Sequence, residues 1–121
     1  MRYLMLVCVE PEATEEDWRS IPDVDGWLRD VADIRVMGNE LQGLSSAKTV
    51  RVREGRTLIT DGPYTEANEW IAGFDILDAP DLETALTAAA AHPVALVGRI
   101  EVRPFAPVEA TASERSRVTV A

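Results

Sequence analysis

Residues 60–73, TDGPYTEANEWIAG, set the tightest limit on how this chain can fold. Asp61-Gly62-Pro63 is a turn with few allowed conformations. Asp61 can accept hydrogen bonds from nearby backbone N–H groups. Gly62 tolerates positive φ, and Pro63 fixes its own φ while keeping Gly62 out of the right-handed helical region. A turn so constrained aims the residues after it. These are Tyr64, Glu66, Glu69 and Trp70, the densest run of groups able to line a pocket, and then an apolar segment broken by Gly73.

Hydrophobic periodicity orders the rest. Residues 3–9 form a continuous apolar run of a length that suits a buried strand. Thr14, followed by Glu15, Glu16 and Asp17, reads as a helix start with acids at the positive end of the dipole. Pro22 interrupts it, and the spacing of Trp27, Leu28, Val31, Ala32 and Ile34 predicts one main helix over residues 24–34. A short strand is expected over 36–41. Residues 49–53 and 56–60 alternate in polarity around Glu54-Gly55 and predict a hairpin. Residues 71–77 read as a strand. Asp81 is a good N-cap for a second, alanine-rich helix closed by His92-Pro93. Residues 99–105 alternate as a last strand. The order is strand, helix, strand, hairpin, strand, helix, strand. It predicts an α+β sandwich, ferredoxin-like with an added β-hairpin, in which two helices cover one face of a mostly antiparallel sheet. The uncovered face predicts a homodimer with sheets back to back. The domain is expected over 1–105, with a mobile tail over 106–121.

Composition excludes several classes of function. At 121 residues, 46% hydrophobic and 27% charged, the chain is one soluble-type domain. Its net charge of −9 includes ten acidic residues against four arginines in the first forty positions. A surface this acidic repels phosphate backbones, so nucleic acid is not expected as a partner. The opening run is too short to span a membrane and has no cleavage site, and one cysteine, Cys8, allows no intrachain disulfide. A cytoplasmic location without membrane association is expected. No G-x-G-x-x-G or Walker pattern occurs, and one histidine with one cysteine gives no metal-ligand spacing, so neither cofactor nor metal is expected.

Residues 60–64 with Glu66, Glu69 and Gly73-Phe74 resemble the signature of the YCII-related family, in its DGPF-domain branch, with Tyr64 where the branch usually has Phe. Residues 38–42 (GNELQ), 49–51 (TVR), Asp81-Leu82 with Ala85, Pro93, and 101–104 (EVRP) agree with it in order, so the resemblance runs from about residue 2 to 105. It implies a fold similar to dimeric α+β barrel proteins, with a cleft between helices and sheet. Some relatives are enzymes, including a dehydrochlorinase of chlorinated aromatic diols, with a proposed pair of a first-helix histidine and an aspartate near a late proline. Here the first helix has no histidine, and His92 stands roughly where relatives carry the aspartate. Genes of the branch often neighbour those for extracytoplasmic-function sigma factors, which implies a regulatory setting.

Candidate site residues follow from chemistry. His92 is a candidate acid or base, or else a residue that closes the second helix. Asp61 and Glu66 are candidates to assist it, with Asp61 equally readable as a turn-former and Glu66 as an exposed acid. Tyr64, Glu69 and Trp70 can line a ligand pocket, although Tyr64 and Trp70 also suit a core or an interface. Arg51 and Arg103 can hold a carboxylate, or pair with strand acids. The leading expectation is a cofactor-independent small-molecule protein performing proton transfer, elimination or isomerisation on a small cyclic or aromatic metabolite. The alternative is a non-catalytic binding module in transcriptional control or with a protein partner.

Overall fold

The structure is a computed structural model that describes residues 1–62 and 70–107. Six strands and three helices run in the order β1 (Arg2–Val9), α1 (Glu15–Ser20), α2 (Asp25–Asp30), β2 (Arg35–Glu40), β3 (Lys48–Arg53), β4 (Arg56–Asp61), β5 (Trp70–Asp78), α3 (Leu82–Ala90) and β6 (Arg99–Pro104). Short 3-10 turns precede β3 and β6. Four strands form one antiparallel sheet in the order β2-β5-β1-β6, and β3 and β4 form a separate hairpin inserted between β2 and β5. This is the ferredoxin-like α+β arrangement with an added hairpin that the periodicity predicts.

Strand alternation decides which face is buried. Tyr3, Met5 and Val7 lie on one face of β1, opposite Leu77, Asp75 and Gly73 of β5 and Pro104, Val102 and Ile100 of β6. Over them Trp27 and Val31 pack from the α2 side, and Ala85, Ala88 and Ala89 from α3. The alanines let α3 sit close, and the Trp27 indole N–H donates to the Ala88 carbonyl at 2.8 Å, which ties the two helices together. Leu4, Leu6, Phe74 and Ile76 occupy the other face and are half-buried.

The helix starts are legible in their caps. Thr14 accepts from the Asp17 N–H at 3.1 Å while Asp17 accepts from the Thr14 N–H at 2.9 Å, a reciprocal capping box. Asp81 accepts from the Thr84 N–H at 2.8 Å. One expectation is corrected here. The main helix predicted over 24–34 is regular only over Asp25–Asp30, while the helix start read at Thr14 opens α1, which ends before Pro22. Asp30 and Asp33 place negative charge at the helix's negative end. The chain must also reach β2, and it does so through turns in which Ile34 and Arg35 N–H groups both bond to the Val31 carbonyl.

The hairpin turns on Glu54 (φ 52°) and Gly55 (φ 75°). Positive φ at both central positions is the type I′ geometry that matches strand twist. Gly62 takes φ 91°, a conformation that glycine tolerates and that lies outside the right-handed helical region, which Pro63 disfavours. The Gly62 N–H donates to the Ala47 carbonyl at 2.7 Å, anchoring the base of the hairpin. Val50, Val52 and Ile59 share one hairpin face and are each more than half exposed. No helix among the described residues is long and apolar enough to cross a membrane.

Glutamate is a poor occupant of the left-handed region, which asparagine adopts more readily. Glu54→Asn should therefore stabilise the hairpin by about 0.5–1 kcal/mol. Amide hydrogen exchange of the β3–β4 ladder is the measurement, because a ribbon with so few anchors opens by itself. Exchange about twofold to fivefold slower is expected, and unchanged or faster exchange would refute the turn assignment.

Candidate functional site

The buried face of the sheet is not covered along its whole length. At the end of β1 away from Tyr3 the inward positions Val7 and Gly73, opposite each other, are small, and Gly38 on β2 is bare in the adjoining row, opposite Asp75. The space they leave, closed from above by α1 and α2, is a cleft of about 670 Å³. All three tryptophans of the chain, Trp18, Trp27 and Trp70, line it. So do Arg35, Asp75 and His92.

Asp75 is an inward-facing acid on a central strand and is only 6% exposed. Its Oδ1 accepts from the Arg35 Nε–H at 2.7 Å, so the buried charge is paired. Gly38, directly opposite Asp75 on β2, makes room for this pair. A Cβ there would stand 2.1 Å from the Asp75 Oδ1 and 2.8 Å from the Arg35 Nη2. Any side chain at position 38 must therefore push the carboxylate aside.

His92 is also 6% exposed. It does not continue α3. Its Nδ1 accepts from the Val94 N–H at 3.0 Å and caps the 3-10 turn over Pro93–Leu96. The ring meets Trp27 edge-on at 4.7 Å. Burial holds its pKa below the ordinary 6.5, with the Asp75 charge as a weaker opposing influence. The hydrogen bond assigns the tautomer: with Nδ1 accepting, the single proton of the neutral ring sits on Nε2. Every fully buried side-chain nitrogen and oxygen among the described residues has a partner. The one hydrogen bond of His92 is through Nδ1, its Nε2 is not both fully buried and unpartnered, and the residue lines the cleft. In this state His92 offers a neutral N–H donor, not a lone pair.

The other candidates fall elsewhere. Trp70 opens β5 and borders both this cleft and a second cavity of about 560 Å³ on the far side of the strand, which Cys8 and Arg99 also line. Asp61 has a side chain 86% exposed and pairs with Lys48 across the hairpin ladder, outside the cleft. Arg103 pairs with Glu101 at 3.0 Å, and Arg51 lies exposed on β3, and neither borders the cleft. Tyr64, Glu66 and Glu69 lie outside the described residues, as does the tail from 108 on. Among the described residues no group of three or more His, Cys, Asp or Glu could hold a metal ion.

Sequence reasoning missed Asp75, Arg35, Gly38, Trp18 and Trp27. One signal was available: in the strand IAGFDIL, period two puts Asp75 on the same face as Gly73 and Leu77. A charge among inward positions of a central strand marks either a site or a buried pair.

The His92 assignment has a sign that can be checked. A folded-state pKa below 6.5 means that the unfolded chain binds more protons between the two values, so stability rises with pH across that window. As pH falls from 6.5 through the folded value, stability should fall, and then level off. Protonation also places a hydrogen on Nδ1 against the Val94 N–H, which breaks the cap. His92→Asn can keep the cap through its side-chain oxygen and should remove this pH dependence. Denaturant unfolding of both proteins between pH 7.5 and about 5, with NMR titration of the ring, tests it. An imidazole midpoint at or above 6.5 would refute the assignment.

An uncharacterised protein of Rhizobium meliloti (strain 1021) is 34% identical over 98 residues, which cover 76% of this chain and 77% of that protein. Residues 1–109, which include every element of the cleft, match the YCII-related domain. The chain belongs to the YCII-related family.

Proposed function

We propose that the cleft binds a small cyclic or aromatic metabolite and moves a proton on it, in an enolisation, elimination or isomerisation that needs no cofactor. One observation carries this reading: a buried imidazole, held in its Nε2–H form by the bond to its Nδ1, lines a tryptophan-walled cleft that also holds a carboxylate. A neutral imidazole N–H polarises a carbonyl or meets a developing oxyanion without the cost of burying a second charge. The Asp75 oxygen not held by Arg35 is the proton acceptor closest in chemistry to that task. In one turnover Asp75 takes a proton from carbon while the N–H of His92 stabilises the enolate oxygen. Return of the proton to a different atom of the substrate, or loss of a leaving group that departs with the proton from Asp75, completes the reaction. Asp61, paired with Lys48 on the hairpin, has no part in this scheme.

Deuterium exchange tests the chemistry without knowledge of the natural substrate. Small enolisable aromatic and cyclic ketones incubated in D2O with the protein should exchange faster than in buffer, as read by proton NMR. His92→Asn should lower that acceleration by about a hundredfold or more while its amide spectrum stays folded. Ketones that shift the Trp27 indole signal yet exchange no faster than in buffer would sink the catalytic reading and leave the binding module.

We also propose a homodimer through the sheet face that bears no helix. Leu4, Leu6, Phe74 and Ile76 lie there, with Met37 more than half exposed beside them. A contiguous apolar face of this kind is what an isologous two-fold interface uses. Light scattering should give twice the chain mass for the natural sequence and the single mass for Met37→Glu. A monomeric natural protein would overturn the proposal.

A further inference from the structure

We infer that the cleft selects organic cations: its ligand has an aromatic or cyclic body, an oxygen for the His92 N–H, and an ammonium group facing Glu10 and Glu40. The inference rests on the cleft being a ligand site, as proposed above, and adds the charge class.

Three features converge on it. The first is charge. Among the described residues that line the cleft, one arginine stands against three carboxylates, Glu10, Glu40 and Asp75. The arginine is committed to Asp75 at 2.7 Å, which leaves Glu10 and Glu40 as the net field at the mouth. His92 adds nothing to offset them, because burial keeps it neutral. The second is the wall. Tryptophan faces attract cations through their negative quadrupoles, and Trp18, Trp27 and Trp70 all border the same space. The third is the buried donor. A ligand that displaces water from the cleft beside this ring, itself 6% exposed, is favoured if it brings a carbonyl or hydroxyl oxygen for the Nε2–H.

An anionic ligand fits none of this. The sequence offered Arg51 and Arg103 as carboxylate receptors, but neither borders the cleft. A carboxylate entering past Glu10 and Glu40 would meet repulsion and find the Arg35 charge already balanced by Asp75.

A matched series separates charge from shape. The probes are 4-acetylbenzylammonium, 4-(hydroxymethyl)acetophenone and 4-acetylbenzoate, which share one ring and one acetyl oxygen and differ in charge. Affinities are read by NMR titration of the Trp27 indole and His92 ring signals in the full chain, at a pH where the amine is protonated. The cation should bind about tenfold tighter than the neutral ketone, and the anion about tenfold weaker or more. Raising the ionic strength should compress this order, since Glu40 is exposed and Glu10 half-buried. Glu10→Gln with Glu40→Gln should bring all three within about threefold of each other. Equal affinities in the natural protein, or a cation preference undiminished by the double substitution, would overturn the inference alone. Failure of all three probes to bind would overturn it together with the reading it rests on.

Discussion

A carboxylate on the buried face of a central strand is the constraint on which the rest of this structure depends. Asp75 stands in β5, between β1 and β2, where ordinary packing calls for an aliphatic side chain. An unpaired charge there would cost several kcal/mol, and removing one partner from a buried pair costs about 3–5 kcal/mol. Arg35 is part of the answer, and its Nε–H meets the carboxylate at 2.7 Å. Gly38 is the rest. The pair exists only because β2 presents no side chain across from Asp75. The sheet register, the shift in β2 between Arg35 and Met37, and the position of the cleft all answer to this one requirement.

His92 extends the same logic. Its Nδ1 caps the turn that leads into β6, and its ring leans on Trp27, whose own N–H is bound to α3. Two groups that look functional are therefore also structural, and each role limits the other. The cap fixes the tautomer, the tautomer makes the exposed nitrogen a donor, and burial keeps the ring neutral near pH 7. A histidine free to rotate could serve as either acid or base. This one is limited to donating.

Local rules made most of the fold legible. Caps at Thr14 and Asp81, alternation in residues 49–60 and the breaks at Pro22 and Gly62 each act over a few residues, so sequence alone carries them. The helix over 24–34 was overestimated because its apolar spacing continues past Asp30, while the turn that ends it is set by where β2 must begin. The site was less legible for a physical reason. Arg35 and Asp75 lie forty positions apart and Trp27 and Ala88 sixty-one, and no local pattern announces such pairs. His92 was recognised by its chemistry, but its role came from Val94, two residues away, through a turn that the sequence did not specify. Asp61 shows the reverse. Its prominence in the turn motif suggested chemistry, whereas its partner is Lys48, its neighbour across the hairpin.

The cleft lies where it does because the two ends of the buried sheet face are filled differently. At the end of Tyr3, Met5 and Leu77, large side chains meet Trp27, Val31 and the alanines of α3, and nothing is left open. At the other end Val7 and Gly73 face each other with little volume to offer, and Gly38 leaves a gap across from Asp75 in the adjoining row. The helices above that end are six residues each, too short to reach down and fill it. A side chain at Gly38 would strike the Asp75 carboxylate and the Phe74 carbonyl, and one at Gly73 would press on the Asn39 carbonyl, so the close approach of the strands keeps this end free of bulk. The chain leaves the space open and sets a paired carboxylate and a capped imidazole at its floor. Stability is forgone at one end of a single sheet face and secured at the other, which is how a domain of this size can hold both a core and a cleft.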